Sequence, residues 1–272
     1  MLTARVDGYD LHYTELGSGI PLVLVHGSLG DQRWWCEHMA PLACHYRVIS
    51  VSLRHCWPER WDGNGDDFNA NRQALDISEL IQVLKLGPVH LLGLSRGGYI
   101  AYRVAVEHPE LIRRLILAEP SGPVDPSLFE GLPPSDTQVM PLGQLFADVA
   151  ENIRNGRIDE GLAPAVAAID GSPTAWQDRP EWMRQIMRDN ARTMLGQFRE
   201  TRAPFTRVEA QSIQAPTLLL KGEHSPRSFH RIVDGFLAAL PYGRQAVIPN
   251  AYHAMNIDNP SAFTREVLAF LA

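Results

Sequence analysis

Gly93-Leu94-Ser95-Arg96-Gly97-Gly98 decides how the rest of the chain is read. The apolar run Pro88-Val89-His90-Leu91-Leu92 precedes it, and Gly97 to Glu107 follows with apolar residues at helical spacing, so a serine sits where a strand gives way to a helix. A turn that sharp crowds the residues two before and two after the serine, and glycine at 93 and 97 removes the Cβ atoms that would collide. The hydroxyl of Ser95 is thereby presented as a candidate nucleophile. The N–H of Arg96 heads the helix, where the partial positive charge of the dipole favours a developing oxyanion.

Working outward, short apolar runs alternate with helix-length stretches, as expected of a parallel sheet covered on both faces. Two alternating runs near Thr3-Val6 and Asp10-Glu15 read as an antiparallel ribbon. Central strands follow at Pro21-Val25, Arg47-Val51, Pro88-Leu92 and Ile112-Ala118, and later ones at Thr217-Leu220 and Gln245-Ile248. Helices are predicted at Arg33-Ala43, Asn71-Leu86, Gly97-Glu107 and Phe229-Leu240, with a terminal helix led by Pro260. The expected fold class is α/β, with a mostly parallel sheet of eight strands. Residues 120–205 break the rhythm with a Pro-rich entry (Pro120, Pro123, Pro126, Pro133, Pro134, Pro141) and helical stretches at Leu142-Asn155, Ile158-Ile169 and Trp182-Phe198. They are expected to form an inserted helical cap over the carboxyl edge of a core domain made of 1–119 and 206–272.

Two further segments carry chemistry. His26-Gly27-Ser28-Leu29-Gly30 ends the third strand, so a second N–H, that of Ser28 ahead of Leu29, can join Arg96 N–H in an oxyanion hole. Leu29 and Trp34 are expected in the substrate pocket, and His26 is expected to hold the loop by hydrogen bonds. Near the end, Pro249-Asn250-Ala251-Tyr252-His253-Ala254 puts a histidine on the loop after the last strand. Of the ten histidines, His253 alone combines a late position, a preceding strand and a following helix, which makes it the candidate base.

The remaining properties exclude classes of function. A chain of 272 residues with 45% hydrophobic and 21% charged residues can build a full core. Its formal charge of −6, without a basic cluster, argues against nucleic acid as partner. The start lacks the blocks of a secretory signal, and no apolar run approaches the roughly 18 residues of a membrane span, so no membrane partner and a cytoplasmic location are expected. Cys36, Cys44 and Cys56 read as buried thiols rather than a disulfide framework. No Cys/His cluster suggests a metal, no organic cofactor is called for, and the partner expected is a small-molecule substrate. The oligomeric state is left open, a homodimer included.

The HG-x-x-G loop, the G-x-S-x-G-G turn, the helical insertion and the late histidine, in this order, resemble the α/β-hydrolase superfamily over the whole chain. The resemblance implies a serine hydrolase with a triad and no cofactor. One departure concerns the acid: after the strand Thr217-Leu220 the chain reads Gly222-Glu223-His224-Ser225-Pro226, whereas related enzymes commonly have aspartate at the place of Ser225. Two carboxylates can replace it. Glu119 ends the sixth strand, at a place where similar haloalkane-converting members carry a glutamate, and it is favoured; Glu223 is the alternative. A second departure is Ser52-Leu53-Arg54-His55-Cys56-Trp57-Pro58-Glu59-Arg60-Trp61-Asp62-Gly63, where relatives usually carry an Asp-x-x-Gly-x-Gly turn. Arg54 and the tryptophans are expected to anchor that loop. The implied activity is hydrolysis of a small carboxylic ester or lactone through an acyl-enzyme at Ser95. The same residues would serve hydrolysis of an activated carbon-carbon bond, and a non-turnover ligand receptor is the competing class.

Overall fold

The eight strands pair in the order β1-β2-β4-β3-β5-β6-β7-β8. They are β1 (Leu2–Val6), β2 (Tyr9–Leu16), β3 (Pro21–Val25), β4 (Arg47–Val51), β5 (Val89–Leu94), β6 (Ile112–Ala118), β7 (Thr217–Gly222) and β8 (Gly243–Ile248). Only the β1-β2 and β2-β4 pairings are antiparallel; all others are parallel. The computed structural model describes residues 1–65, 67–134 and 143–272. Pro141 and Leu142, the last proline of the predicted entry and the start of the first predicted inserted helix, lie outside them.

Side chains of a strand alternate between faces, and here both faces are apolar. Val23, Val25, Ile49, Leu91, Leu115, Leu117 and Leu219 join one core cluster; Leu22, Leu24, Val48, Leu92, Ile116, Leu218 and Leu220 join the other. The first face is covered by α2 (Ala70–Val83), α3 (Arg96–Glu107) and two helices that follow the insertion; the second is covered by α1 (Cys36–Ala43) and the terminal helix.

The 120–205 segment supplies α4 (Gly143–Arg154), α5 (Ile158–Asp170), α6 (Ala175–Asp178), α7 (Glu181–Asp189) and α8 (Thr193–Gln197). Its base is closed by a bridge between Val124 and Phe205, with Phe205 N donating to Pro123 O at 2.8 Å. Its buried residues, among them Val166, Met183 and Met187, share a cluster with Leu29, Trp34 and Leu94 at the carboxyl ends of the strands. The chain then continues through α9 (Arg207–Ser212), α10 (Arg227–Ala239), α11 (Met255–Asp258) and α12 (Pro260–Leu271). Among the described residues no helix is long and apolar enough to cross a membrane.

Two predicted elements differ. The Trp182-Phe198 stretch is interrupted after Asp189, because the Asn190 side chain is committed elsewhere: it donates to Asp31 Oδ2 at 2.7 Å and accepts from Trp57 N at 2.7 Å. The cysteines are a correction, since Cys36 and Cys44 are exposed and only Cys56 is buried. Helix α1 buries His38 and Leu42, four residues apart on one stripe, and Cys36 and Cys44 fall off that stripe.

The unusual loop after β4 is held as expected. Arg54 forms a bidentate pair with Asp76 at 2.8 and 2.9 Å, and Trp61 stacks on His55 at 4.6 Å. His55 is clasped between Glu59 (2.9 Å) and Asp67 (2.8 Å). Burial works against its protonation, but the two carboxylates outweigh it and raise its pKa above the ordinary value, while Glu59 is held below the usual carboxylate value against its own burial. A raised histidine stabilises fully below its unfolded pKa of about 6.5 and loses that contribution as pH rises through the folded value; a lowered Glu59 loses its contribution as pH falls. The clasp is therefore strongest in the window between them. His55→Gln should flatten the loss of thermal stability on raising the pH above about 6.5, read as Tm against pH. Parallel curves for the two proteins would contradict the assignment.

Candidate active site

Ser95 stands between β5 and α3 with φ 53° and ψ −118°, a conformation an L residue adopts at a cost of about 1–3 kcal/mol. Three backbone hydrogen bonds hold it there: its N–H donates to Ala118 O at 2.9 Å, and its carbonyl accepts from Tyr99 N (3.1 Å) and Ser121 N (3.0 Å). The flanking glycines are required by contact. A Cβ on Gly93 would lie 2.1 Å from Gly97 O, and one on Gly97 would lie 2.3 Å from Val25 O.

Glu119 leaves the next strand in the same manner. It has φ 41°, and its N–H donates to Leu220 O at 3.0 Å, so the ends of β5 and β6 turn out of the sheet side by side. Its carboxylate is fully buried, which is costly without partners. It has two: Oε1 accepts from Gly222 N at 2.9 Å, and Oε2 pairs with His253 Nδ1 at 2.6 Å. With Nδ1 donating to the carboxylate, Nε2 is the basic nitrogen, and among the described residues the buried Nε2 has no hydrogen-bond partner. Phe229, from α10, stacks on the imidazole at 4.0 Å and 16° and fixes the plane of the ring.

The alternative carboxylate and the residue at the usual place of the acid are engaged differently. Glu223 is exposed and accepts from Asn250 N at 2.8 Å, which ties the loop after β7 to the loop that carries His253. Ser225 is buried, but among the described residues its Oγ has no hydrogen-bond partner.

On the opposite wall, Ser28 and Leu29 form the turn after β3, and among the described residues their amides have no hydrogen-bond acceptor. Leu29 has φ 62°, which bends this turn beside Ser95. His26 braces it: Nδ1 donates to Gly27 O at 2.7 Å and Nε2 accepts from Leu53 N at 3.1 Å. Burial pushes its pKa down to about 4, so it is neutral and structural, as expected from its position. The amide of Arg96 stands at the start of α3, where first-turn N–H groups have no partner within the helix. Its guanidinium points away from Ser95, to Gln73 and Glu200.

Ser28, Leu29, Trp34, Ser95 and His253 line one cavity of about 140 Å³, whereas Arg96 and Glu119 are not in its wall. Residues 120–205 contribute Asp170, Arg179, Met183, Gln197 and Arg202, none of which the sequence pattern singled out. Gln197 reaches across to accept from Ser28 Oγ at 2.8 Å. Asp170 is raised above the usual carboxylate value by burial, against the pull of Arg179 beside it. Among the described residues no group of three or more His, Cys, Asp or Glu could hold a metal ion.

Residues 22–266 match a family model described as alpha/beta hydrolase family. The chain belongs to that family. This alpha/beta hydrolase is 26% identical, over 97% of its length and 98% of the relative's, to BpoC of Mycobacterium tuberculosis, provisionally named a non-heme bromoperoxidase. It is 24% identical to the (E)-2-((N-methylformamido)methylene)succinate hydrolase of Acinetobacter baylyi, over 96% of this chain and 93% of that one. Among solved structures it is similar to the enol-lactonase of Burkholderia xenovorans, with a TM-score of 0.79, 22% identity and 99% of each chain covered. The esterase EaEST of Exiguobacterium antarcticum gives 0.79 at 23% identity, covering 99% of this chain and 98% of that one.

Proposed function

We propose that the chain is a serine hydrolase that cleaves a small carboxylic ester or lactone through an acyl-enzyme on Ser95. The observation that carries this reading is the 2.6 Å pair between His253 Nδ1 and the buried Glu119, which leaves Nε2 as an unpartnered base in the wall of the cavity that also holds Ser95. Relatives named as hydrolases, esterases and lactonases support it.

In this reading His253 Nε2 takes the Ser95 proton as Oγ attacks the carbonyl carbon, and the amides of Ser28 and Arg96 hold the oxyanion. Each such donor contributes about 3 kcal/mol to the transition state. The imidazolium then gives its proton to the leaving oxygen. A water deprotonated by the same Nε2 attacks the acyl carbonyl and releases the acid. Glu119 stays ionised throughout, keeps the imidazole in the required tautomer and balances its charge. Residues 120–205 act as the cap, closing the cavity with Val166, Met183 and Met187 so that the acyl group is held away from bulk water.

A chromogenic ester tests the reading. Rapid mixing should give a burst of alcohol of about one equivalent per chain followed by steady turnover, since acylation and deacylation are separate steps. Release that stops at the burst would replace the enzyme by a ligand receptor on the same fold.

A further inference from the structure

Among the described residues, the cavity has one cation whose charge is not fully matched. Glu200 is fully engaged: Oε1 accepts from Arg96 Nη1 and lies 3.3 Å from Arg202 Nε, while Oε2 accepts from Arg96 Nη2 and from Ala70 N, both at 2.9 Å. One carboxylate thus serves two guanidiniums and the first amide of α2, itself a centre of partial positive charge. The Arg202 side chain is 18% exposed and lines the cavity. Its Nη1 donates to Ser121 O at 2.8 Å, and Ser121 N is bonded to the carbonyl of Ser95. Among the described residues its Nη2 has no hydrogen-bond partner, and burial together with the Arg96 charge lowers its pKa.

The other guanidinium in the wall is in the reverse situation. Arg179 pairs with both Asp170 and Asp258, so its charge is already compensated. A second carboxylate on a substrate would find no free cation there and be drawn to Arg202.

We infer that the substrate carries a free carboxylate in addition to the bond that is cleaved, and that Arg202 binds it at the Ser121 side of the cavity. This rests on the Ser95 hydrolase reading and names its substrate class: a half-ester of a short dicarboxylic acid, or a lactone bearing a carboxylate. A charged hydrogen bond of this kind is worth roughly tenfold to a hundredfold in binding.

Two esters of equal acyl length make the comparison, 4-nitrophenyl hydrogen succinate and 4-nitrophenyl butyrate. The succinate should be favoured in kcat/KM by roughly tenfold or more, mainly through KM, and Arg202→Met should cut the succinate-to-butyrate ratio by a similar factor. Arg202→Lys, which keeps the charge, should keep part of the preference. Titrating the protein with succinate and with butyrate by calorimetry reads the same site without turnover: succinate should bind more tightly, and the difference should vanish in Arg202→Met. A ratio near one, or a preference that Arg202→Met leaves unchanged in both measurements, would overturn the inference. If neither ester is hydrolysed, the Ser95 reading fails, while the titration still decides the anion site.

Discussion

Replacing Ser95 by alanine is expected to lower kcat by about six orders of magnitude, measured by hydrolysis of a 4-nitrophenyl ester. The change deletes one oxygen and keeps Cβ, so the strained backbone at φ 53° and its three hydrogen bonds are unaffected. Stability should therefore stay within about 1 kcal/mol, and a loss of activity cannot be assigned to unfolding. His253→Ala is expected to cost about as much, and the double variant no more than either single one, because the hydroxyl and the imidazole act as a unit. A serine-reactive phosphonate should add its mass to the unsubstituted chain and leave Ser95→Ala unlabelled. Turnover of Ser95→Ala within a few fold of the original, or labelling at another residue, would remove the acyl-enzyme from the proposal.

The sharp bend at residue 95 was legible because its geometry needs other residues at fixed spacing. The bend works only where Gly93 and Gly97 approach Gly97 O and Val25 O to within reach of a missing Cβ, and that requirement is written in the sequence. The strands were legible for a similar reason: with both faces covered, β3 reads as a continuous apolar run, and β5 and β6 do so apart from His90 and the Arg113-Arg114 pair. The far wall of the cavity was not. Helical periodicity says which stripe of α5 is apolar, but not that Asp170 at its end, Gln197 at the end of α8 and Arg202 in the loop beyond line the cavity, since those residue types are normally solvated. The break at Asn190 was hidden because its cause is an amide side chain bonding to Asp31 and Trp57, more than a hundred residues away in sequence. Such long-range polar contacts leave no local pattern.

The sequence left two candidates for the acid, Glu119 and Glu223, and the proposed mechanism takes Glu119, so Glu119→Gln against Glu223→Gln is the second large effect. Gln at 119 keeps the shape and can still accept from Gly222 N, but it cannot supply the negative charge that stabilises an imidazolium, and its amide can donate to Nδ1 and turn the basic lone pair away from Nε2. A loss of about four orders of magnitude in kcat is expected, with little change in KM, since the wrong tautomer affects the transition state and not ground-state binding. Glu223→Gln should change kcat by no more than a few fold, because Glu223 is exposed and its carboxylate accepts from the amide of Asn250, which a glutamine oxygen can also do. Ser225 offers a control in the opposite direction. Its unpartnered Oγ lies so close to Gly222 that a Cβ added there would meet it at 2.7 Å, and Gly222 N is already bound to Glu119. A carboxylate introduced at 225 therefore enters the same small volume, and Ser225→Asp combined with Glu119→Gln should recover part of the lost kcat. In the Glu119 protein the same Ser225→Asp change should be harmful, because two carboxylates crowded at one buried imidazole repel and one of them takes up a proton. Equal losses for Glu119→Gln and Glu223→Gln, or no recovery at 225 in a folded double variant, would mean that the charge balancing His253 comes from somewhere else.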